Sequence, residues 1–367
     1  MRLRKLLILA GLLALYLATL LSAQQRDPLP VPDIGGFRTL KCDFHMHTVF
    51  SDGEVWPTTR VMEAWRDGLD VIAITDHVGY NPHKEDVRPD LSRPHAIASP
   101  LAGQLGIILV PGAEVMKGDT HFNVLFVKDQ NSFLGLDLPD ALRKARKQGA
   151  FIFWNHPGWK QPAAWFPDVA ALYDERLMDG VELVNGRTFY PQVFPWIEQR
   201  RLAILSDSDV HTPILPAYAN RGRPITLVFA RTADLDGVRE ALFARRSVAW
   251  MGGELWGNEE FLRELWQGAV LVETQELKFG PSQRQVALRL INRSALPFQL
   301  RIREAPSWLS VGGGELKAEG ALAIPTRLLK GAAAGEQKIR LTFEVTNLHT
   351  SPDRNLLVRL ELRAMNP

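Results

Sequence analysis

A chain of 367 residues is long for one domain, and 46% hydrophobic against 23% charged residues is the balance of a globular protein. A formal net charge of +2 advertises neither a nucleic-acid groove nor a membrane-binding surface. The single cysteine, Cys42, excludes an internal disulfide, so the fold must rest on its core or on bound metal.

Arg2, Arg4 and Lys5 precede an almost wholly apolar run from Leu6 to Leu21, and Ser22, Ala23, Gln24 and Gln25 follow it. A positive start, an apolar stretch and small residues at its end are the parts of a secretory signal. Residues 1–23 are therefore expected to direct export, as a cleaved peptide or as an uncleaved anchor. Only an anchor would tie the chain to a membrane, and a run of about 16 apolar residues is short for a span. Asp27-Pro28-Leu29-Pro30-Val31-Pro32 predicts a stiff, extended spacer within a Pro-rich linker at 24–37.

Short apolar runs then alternate with amphipathic stretches. Strands are expected at Leu40–Phe44, Val71–Thr75, Ile107–Pro111, Phe122–Val127, Phe151–Trp154, Val181–Val184, Leu202–Leu205 and Ile225–Phe229. Helices are expected at Pro57–Gly68, Leu138–Lys147 and Asp234–Arg245, where apolar residues recur at helical spacing. The repeat predicts an α/β fold with a parallel barrel or open sheet at 38–265, its chemistry at the C-terminal ends of strands. Beyond about Val270 the texture changes. Val286–Leu290, Phe298–Ile302, Lys338–Val345 and Leu356–Leu362 alternate apolar and polar residues, predicting a small immunoglobulin-like β-sandwich accessory domain at 270–367.

The nine histidines carry the functional signal. His45 and His47 stand in Asp43-Phe-His-Met-His at the end of the first strand, where alternation sends both rings to one side. Ser51-Asp52-Gly53 follows in the next loop. Thr75-Asp76-His77 ends the second strand, Glu114 lies just past the third, and His121 precedes Phe122. Asn155-His156-Pro157-Gly158 ends another strand, and Asp209-Val-His211 follows the strand from Leu202. Each alone is an ordinary cap, turn former or buried pair; together, on successive strand ends, they make a rim of metal ligands. Imidazoles and carboxylates without thiolate suit zinc, manganese or iron, and Cys42 reads as a small buried residue.

Further along, Tyr80, His83, Lys84 and Arg88 follow the second strand, and Lys160, Arg187 and Arg223 lie near later ones; all are candidate substrate contacts. Asp76 is placed to orient a ligand imidazole. Trp154, Trp159, Trp165, Phe189 and Tyr190 are dense enough that some can wall an apolar pocket, with most expected in the core.

His45-x-His47, Ser51-Asp52-Gly53, Thr75-Asp76-His77, Glu114, His121, His156 and Asp209-x-His211 resemble the ordered motifs of the PHP (polymerase and histidinol phosphatase) superfamily over roughly Leu40–Trp250. The stretches from His47 to Pro57, Phe153 to Trp159 and Ala241 to Arg246 further resemble exported bacterial PHP phosphodiesterases that act on organophosphate diesters. The resemblance implies a distorted (β/α)7 barrel and up to three divalent metals per chain. It implies a first metal on His45, His47, Glu114 and Asp209, the four residues nearest the chemistry. Glu114 would bridge to a second on His121 and His156, and Asp52, His77 and His211 would hold a third. Hydrolysis would use a metal-bridging hydroxide, because bound cations lower the pKa of water to about 7 and neutralise phosphate oxygens. The expected substrate is a small phosphate ester, most simply a diester, met in the periplasm or outside the cell. A histidinol-phosphatase-like monoesterase, an exonuclease like those of the polymerase-associated branch, a non-catalytic metal-binding module and an amidohydrolase-like C–N hydrolase are the alternatives.

Overall fold

A computed structural model of the protein describes residues 25–218 and 222–367, so the expected signal at 1–23 lies outside the described residues. Among the described residues no helix is long and apolar enough to cross a membrane. The chain opens with β1 (Arg38–Asp43), α1 (Pro57–Arg66), β2 (Val71–Ile74), α2 (Arg93–Leu105), β3 (Ile108–Lys117) and β4 (Thr120–Leu125). It continues through α3 (Leu138–Lys147), β5 (Phe151–Trp154), α4 (Pro167–Asp174), β6 (Gly180–Asn185), β7 (Thr188–Phe189), α5 (Phe194–Arg200) and β8 (Ala203–Asp207). Then come β9 (Ile225–Ala230), α6 (Leu235–Phe243), β10 (Ser247–Met251), β11 (Glu254–Gly257) and α7 (Glu259–Ala269).

Local chemistry accounts for these elements. The strands Val-Ile-Ala-Ile (β2) and Phe-Ile-Phe-Trp (β5) are buried throughout, as strands covered on both faces must be. In α3 the Asp137 carboxylate accepts the Asp140 N–H at the start, and Lys144, Arg146 and Lys147 occupy the last turn, where the exposed carbonyls favour cations. Its Ala141, Leu142 and Ala145 turn inward.

Strands β1, β2 and β3 pair in parallel, as do β5, β6 and β8. The expected strand–helix repeat is broken at β4. Gly118, at φ 59°, turns the chain straight back after β3, and β4 runs antiparallel to both β3 and β5. β9 is antiparallel to β1 and β10 to β9. The sheet wraps until β8 approaches β9 and β10, where Thr226 Oγ1 accepts the Ser206 N–H at 2.8 Å and Ser206 Oγ donates to the Trp250 carbonyl at 3.1 Å. The C-terminal ends of β1, β2, β5, β6 and β8 thus share one mouth.

The rest of the chain forms β12 (Val270–Val272), β13 (Glu276–Lys278), β14 (Gln285–Asn292), β15 (Phe298–Glu304), β16 (Leu309–Val311), β17 (Gly314–Leu316), β18 (Ala321–Leu328), β19 (Gly335–Ser351) and β20 (Arg354–Asn366). Four of them make a separate sheet in the order β12-β14-β18-β16. β19 pairs with β20 and β15, and also in parallel with β11, so the C-terminal strands extend the sheet of the first half. One apolar core runs under both halves: Ile72, Leu227 and Phe229 belong with Leu265 and Trp266 of α7, Leu288 and Ile324 of one sheet, and Phe343 of the other. The Pro-rich segment is extended but docked. Leu29 and Ile34 are buried, the Asp27 N–H donates to the Arg66 carbonyl at 2.8 Å, and the Ala295 N–H donates to the Pro30 carbonyl at 2.7 Å.

Candidate metal centre

The mouth gathers all nine of the residues read as ligands. His45 and His47 follow β1, and their Nε2 atoms lie 3.1 Å apart. Each is also close to Glu114 Oε2, at 3.1 and 3.2 Å, and to Asp209 Oδ1, at 3.2 and 3.1 Å. His77 Nδ1 lies 3.1 Å from the same Glu114 oxygen. The other carboxylate oxygen of Glu114, Oε1, lies 2.8 Å from His121 Nδ1 and 3.4 Å from His156 Nε2. Asp52 sits between His211, at 3.3 Å, and His77, at 3.6 Å.

Four sets of ligand atoms lie close enough to hold an ion: His47, Asp52, His77 and His211; His45, His47 and Glu114; His45, His156 and Asp209; and His77, Glu114 and His121. The grouping differs in detail from the one the motifs imply. His47 joins the Asp52 set, His77 shares Glu114 with His121, and His156 sits with His45 and Asp209.

The donor set fits divalent cations. Asp52 Oδ1, His77 Nδ1 and Asp209 Oδ1 are buried and have no hydrogen-bond partner, although nitrogen or oxygen atoms lie within 3.1–3.3 Å of each. Metal–ligand bonds of about 2.0–2.2 Å place neighbouring ligand atoms about 3.0–3.5 Å apart, so lone pairs that converge at this spacing without a proton between them describe the shell of a cation.

The local backbone is shaped for this. Gly53 packs onto the start of the loop: a Cβ there would lie 2.6 Å from the His47 carbonyl carbon, so only glycine lets Asp52 fold back to the mouth. His156 and Asp209 both take positive φ, 29° and 49°, a conformation that costs free energy and gathers at functional sites. Asp209 is further fixed by its N–H donating to the His45 carbonyl at 2.9 Å.

Electrostatics follow from the crowding. Burial opposes charge on every group here, yet the opposite charges outweigh it. The imidazoles of His45 and His77, with hydrogen bonds from His121 and His156, hold Glu114 well below the usual carboxylate range. Asp209 is held low by His45 and His47, and Asp52 by His211 and His77. Reciprocally, Asp209, Glu114 and Glu182 raise His45 well above the ordinary imidazole value, Glu114 raises His156, and Asp52 raises His211.

No family model matches the chain. A crystal structure of a two-domain protein containing a predicted PHP-like metal-dependent phosphoesterase, from Bacteroides vulgatus, is 39% identical, covers 92% of this chain and 99% of that one, and superposes with a TM-score of 0.86. The chain belongs to the PHP-like metal-dependent phosphoesterases. An uncharacterized protein of Methanocaldococcus jannaschii is 26% identical over 161 residues, which are 40% of this chain and 82% of that protein. An amidohydrolase from Chromobacterium violaceum shares 16% identity over 47% of this chain and 88% of that one, with a TM-score of 0.39, too slight a likeness to bear on function.

In this PHP-like site some of the expected outer residues fall elsewhere. Arg223 is buried and paired with Asp43 at 2.6 Å and Asp67 at 2.7 Å, a structural cation and not a substrate contact. His83 is half-buried and Lys84 exposed on the loop after β2, and neither makes a hydrogen bond, ion pair or ring contact with a ligand residue among the described residues. Among the described residues the Asp76 carboxylate makes no hydrogen bond to the His77 ring. It accepts from Thr48 N–H, Thr48 Oγ1 and Ser51 Oγ, each at 2.7 Å, and Ser51 Oγ lies 3.3 Å from His47 Nδ1, so the carboxylate holds the His47 loop. Tyr80 is at the site, its ring edge-on to His77 with centroids 6.0 Å apart. Trp159 is 54% exposed and lies 5.3 Å from His156 and 5.6 Å from His121, with Lys160 over its ring. Trp154 and Trp165 pack with Trp196 in the core.

Three further residues join the site: Glu182 and Asn185, which lie in none of the motifs, and Asn155, which lies in one without an assigned role. Glu182 is fully buried in β6, with Oε1 2.8 Å from His45 Nδ1, and its Oε2 accepts the His156 N–H at 2.6 Å. Asn155 donates to Glu114 Oε1 at 2.9 Å, and Asn185 to Glu182 Oε2 at 2.9 Å and Asp209 Oδ2 at 3.3 Å. The available signal was Glu182 itself, a lone charge inside the apolar run Gly180-Val-Glu-Leu-Val184.

Proposed function

We propose that the protein is an exported phosphodiesterase with a site for up to three divalent cations (zinc, manganese or iron). The observation that carries the reading is the division of Glu114. Its Oε2 faces His45, His47 and His77, while its Oε1 faces His121 and His156, the arrangement of a carboxylate that serves two ions at once. Asp52 and His211 offer the third position beside His77. Bound there, divalent cations neutralise phosphate oxygens and lower the pKa of water to about 7.

The chain's own residues do the rest. Glu182 fixes the tautomer of His45 by accepting at Nδ1, which leaves Nε2 free to act as a ligand. Asn155 and Asn185 hold the carboxylates of Glu114 and Asp209 in place. Trp159 and Tyr80 present apolar faces at the rim for an ester arm, and Arg187 is exposed on the β6–β7 hairpin for a phosphate oxygen.

Export follows from the positive, then apolar, start of residues 1–23. The described chain departs from the end of the sheet opposite the mouth, where Arg26 donates to the Leu69 carbonyl at 3.0 Å just before β2.

The test is a panel of phenyl phosphate monoester and bis-phenyl diester offered to the purified, metal-loaded protein. The expected result is faster hydrolysis of the diester, abolished by a chelator. Faster hydrolysis of the monoester would make it a phosphomonoesterase. Tight metal binding with no turnover of either ester would make it a binding module.

A further inference from the structure

The two halves of the chain meet beside the mouth as well as in the shared core. β10 ends at the mouth, and β11 runs back from it, paired with β10 on one edge and with β19 on the other. Trp256 of β11 stacks on two rings: Phe189 of β7, at 4.8 Å between centroids and 19°, and His349 of β19, at 5.5 Å and 18°. His349 Nε2 lies 2.7 Å from Glu254 Oε2 at the start of β11. Asn347 donates its amide to the carbonyls of Gly253 and of Pro297 (at 2.9 Å), which pins the β10–β11 turn to the C-terminal half.

What the stack reaches is the β6–β7 hairpin. The hairpin's own ladder has only two paired positions, Val184 with Phe189 and Asn185 with Thr188; β8 and the Gly186 N–H, which donates to the Asp207 carbonyl at 2.9 Å, hold its β6 arm, which leaves the outer arm, with Thr188 and Phe189, for the stack to hold. The hairpin carries Asn185, which touches Asp209, and Arg187, which donates to the Ala217 carbonyl and lies 5.9 Å from the Tyr218 ring. The neighbouring ring of Phe189 is the hairpin's tie to Trp256 and, through it, to His349.

We infer that the C-terminal half is a working part of the esterase site: His349 and Trp256 are positioning residues that fix the hairpin and so set where Arg187 meets the substrate. The inference rests on the diesterase reading for the role of Arg187. A stacked aromatic pair changes an equilibrium by about two- to tenfold, and substrate affinity is expected to move by that much.

The experiment uses the full-length, metal-loaded protein and three variants: His349→Ala, His349→Phe and Trp256→Phe. His349→Ala should raise KM for bis-phenyl phosphate about three- to tenfold, with kcat within about twofold of wild type and metal content unchanged. It should also speed tryptic cutting after Arg187, read by mass spectrometry. His349→Phe and Trp256→Phe keep a ring in the stack and should behave as wild type in both assays. Wild-type KM and cutting in His349→Ala would overturn the inference, as would failure of His349→Phe to restore them. A fall in kcat and metal content at constant KM would instead make the stack a general support. Were no ester hydrolysed by any form, the diesterase reading would fail, and the tryptic assay alone would still decide whether His349 holds the hairpin.

Discussion

Glu114 at the mouth and Glu344 in β19 are both buried carboxylates held below the usual carboxylate range, but their partners differ in kind. Glu344 is met by Arg303 at 2.7 Å, Arg301 at 2.9 Å and Asn355 at 2.9 Å; burial pushes it up, and the hydrogen bonds from Arg301 and Asn355 pull it below its ordinary value. Arginine keeps its proton at any accessible pH, so that carboxylate is neutralised for good. Glu114 is met instead by five imidazoles, a side chain able to give up its proton near neutral pH. A buried carboxylate among arginines is a fastening; one among histidines awaits a cation.

The largest expected break in this comparison is His45→Ala. Its removal takes a donor from two of the ligand sets, and diester turnover should fall by about 1000-fold or more, while circular dichroism shows the C-terminal strands still folded. Glu182→Gln comes next. It retains the volume but weakens the hold on His45, and metal affinity by titration should drop about 10- to 100-fold.

In chelated protein His45, His156 and His211 bind protons more tightly folded than unfolded. Their contribution to stability is therefore full below the ordinary imidazole value and is lost as pH rises through the raised folded values. Metal requires the neutral imidazole, so its stabilisation grows over the same range. The Tm gap between metal-loaded and chelated protein should widen by several degrees from about pH 5 to about pH 8; a gap that narrows would contradict the assignment.

The smallest effect is at the other carboxylate. Glu344→Gln should leave turnover and metal content unchanged and cost about 1 kcal/mol at neutral pH, since Arg301 and Arg303 are about half exposed and water screens them. Because the folded pKa of Glu344 is lowered, its contribution is present above the ordinary carboxylate value and lost as pH falls through the lowered one. The variant should flatten the acid side of the stability profile measured by denaturant titration.

Much of the site was legible because ligands at strand ends leave a sequence trace: an apolar run, then His or Asp. His45, His77, His156 and Asp209 all follow that grammar. Glu182 does not, since it lies inside its strand, and only the oddity of a charge among apolar neighbours marks it. Arg223 misled for the opposite reason. A cation near a strand reads the same whether it faces the mouth or a buried pair such as Asp43 and Asp67. The C-terminal strands were visible as alternation, but alternation names no partner, so the pairing of β19 with β11 and the stack it builds could not be read. The docked proline segment was hidden likewise, because an extended run looks the same free or bound.

The most direct measurement is the metal content of the purified protein by elemental mass spectrometry, before and after dialysis against chelator and reloading with zinc or manganese. About three tightly held divalent ions per chain, falling in His45→Ala, is the result expected of a shell built from these nine side chains. A folded protein that takes up no more than stray metal after reloading would contradict it.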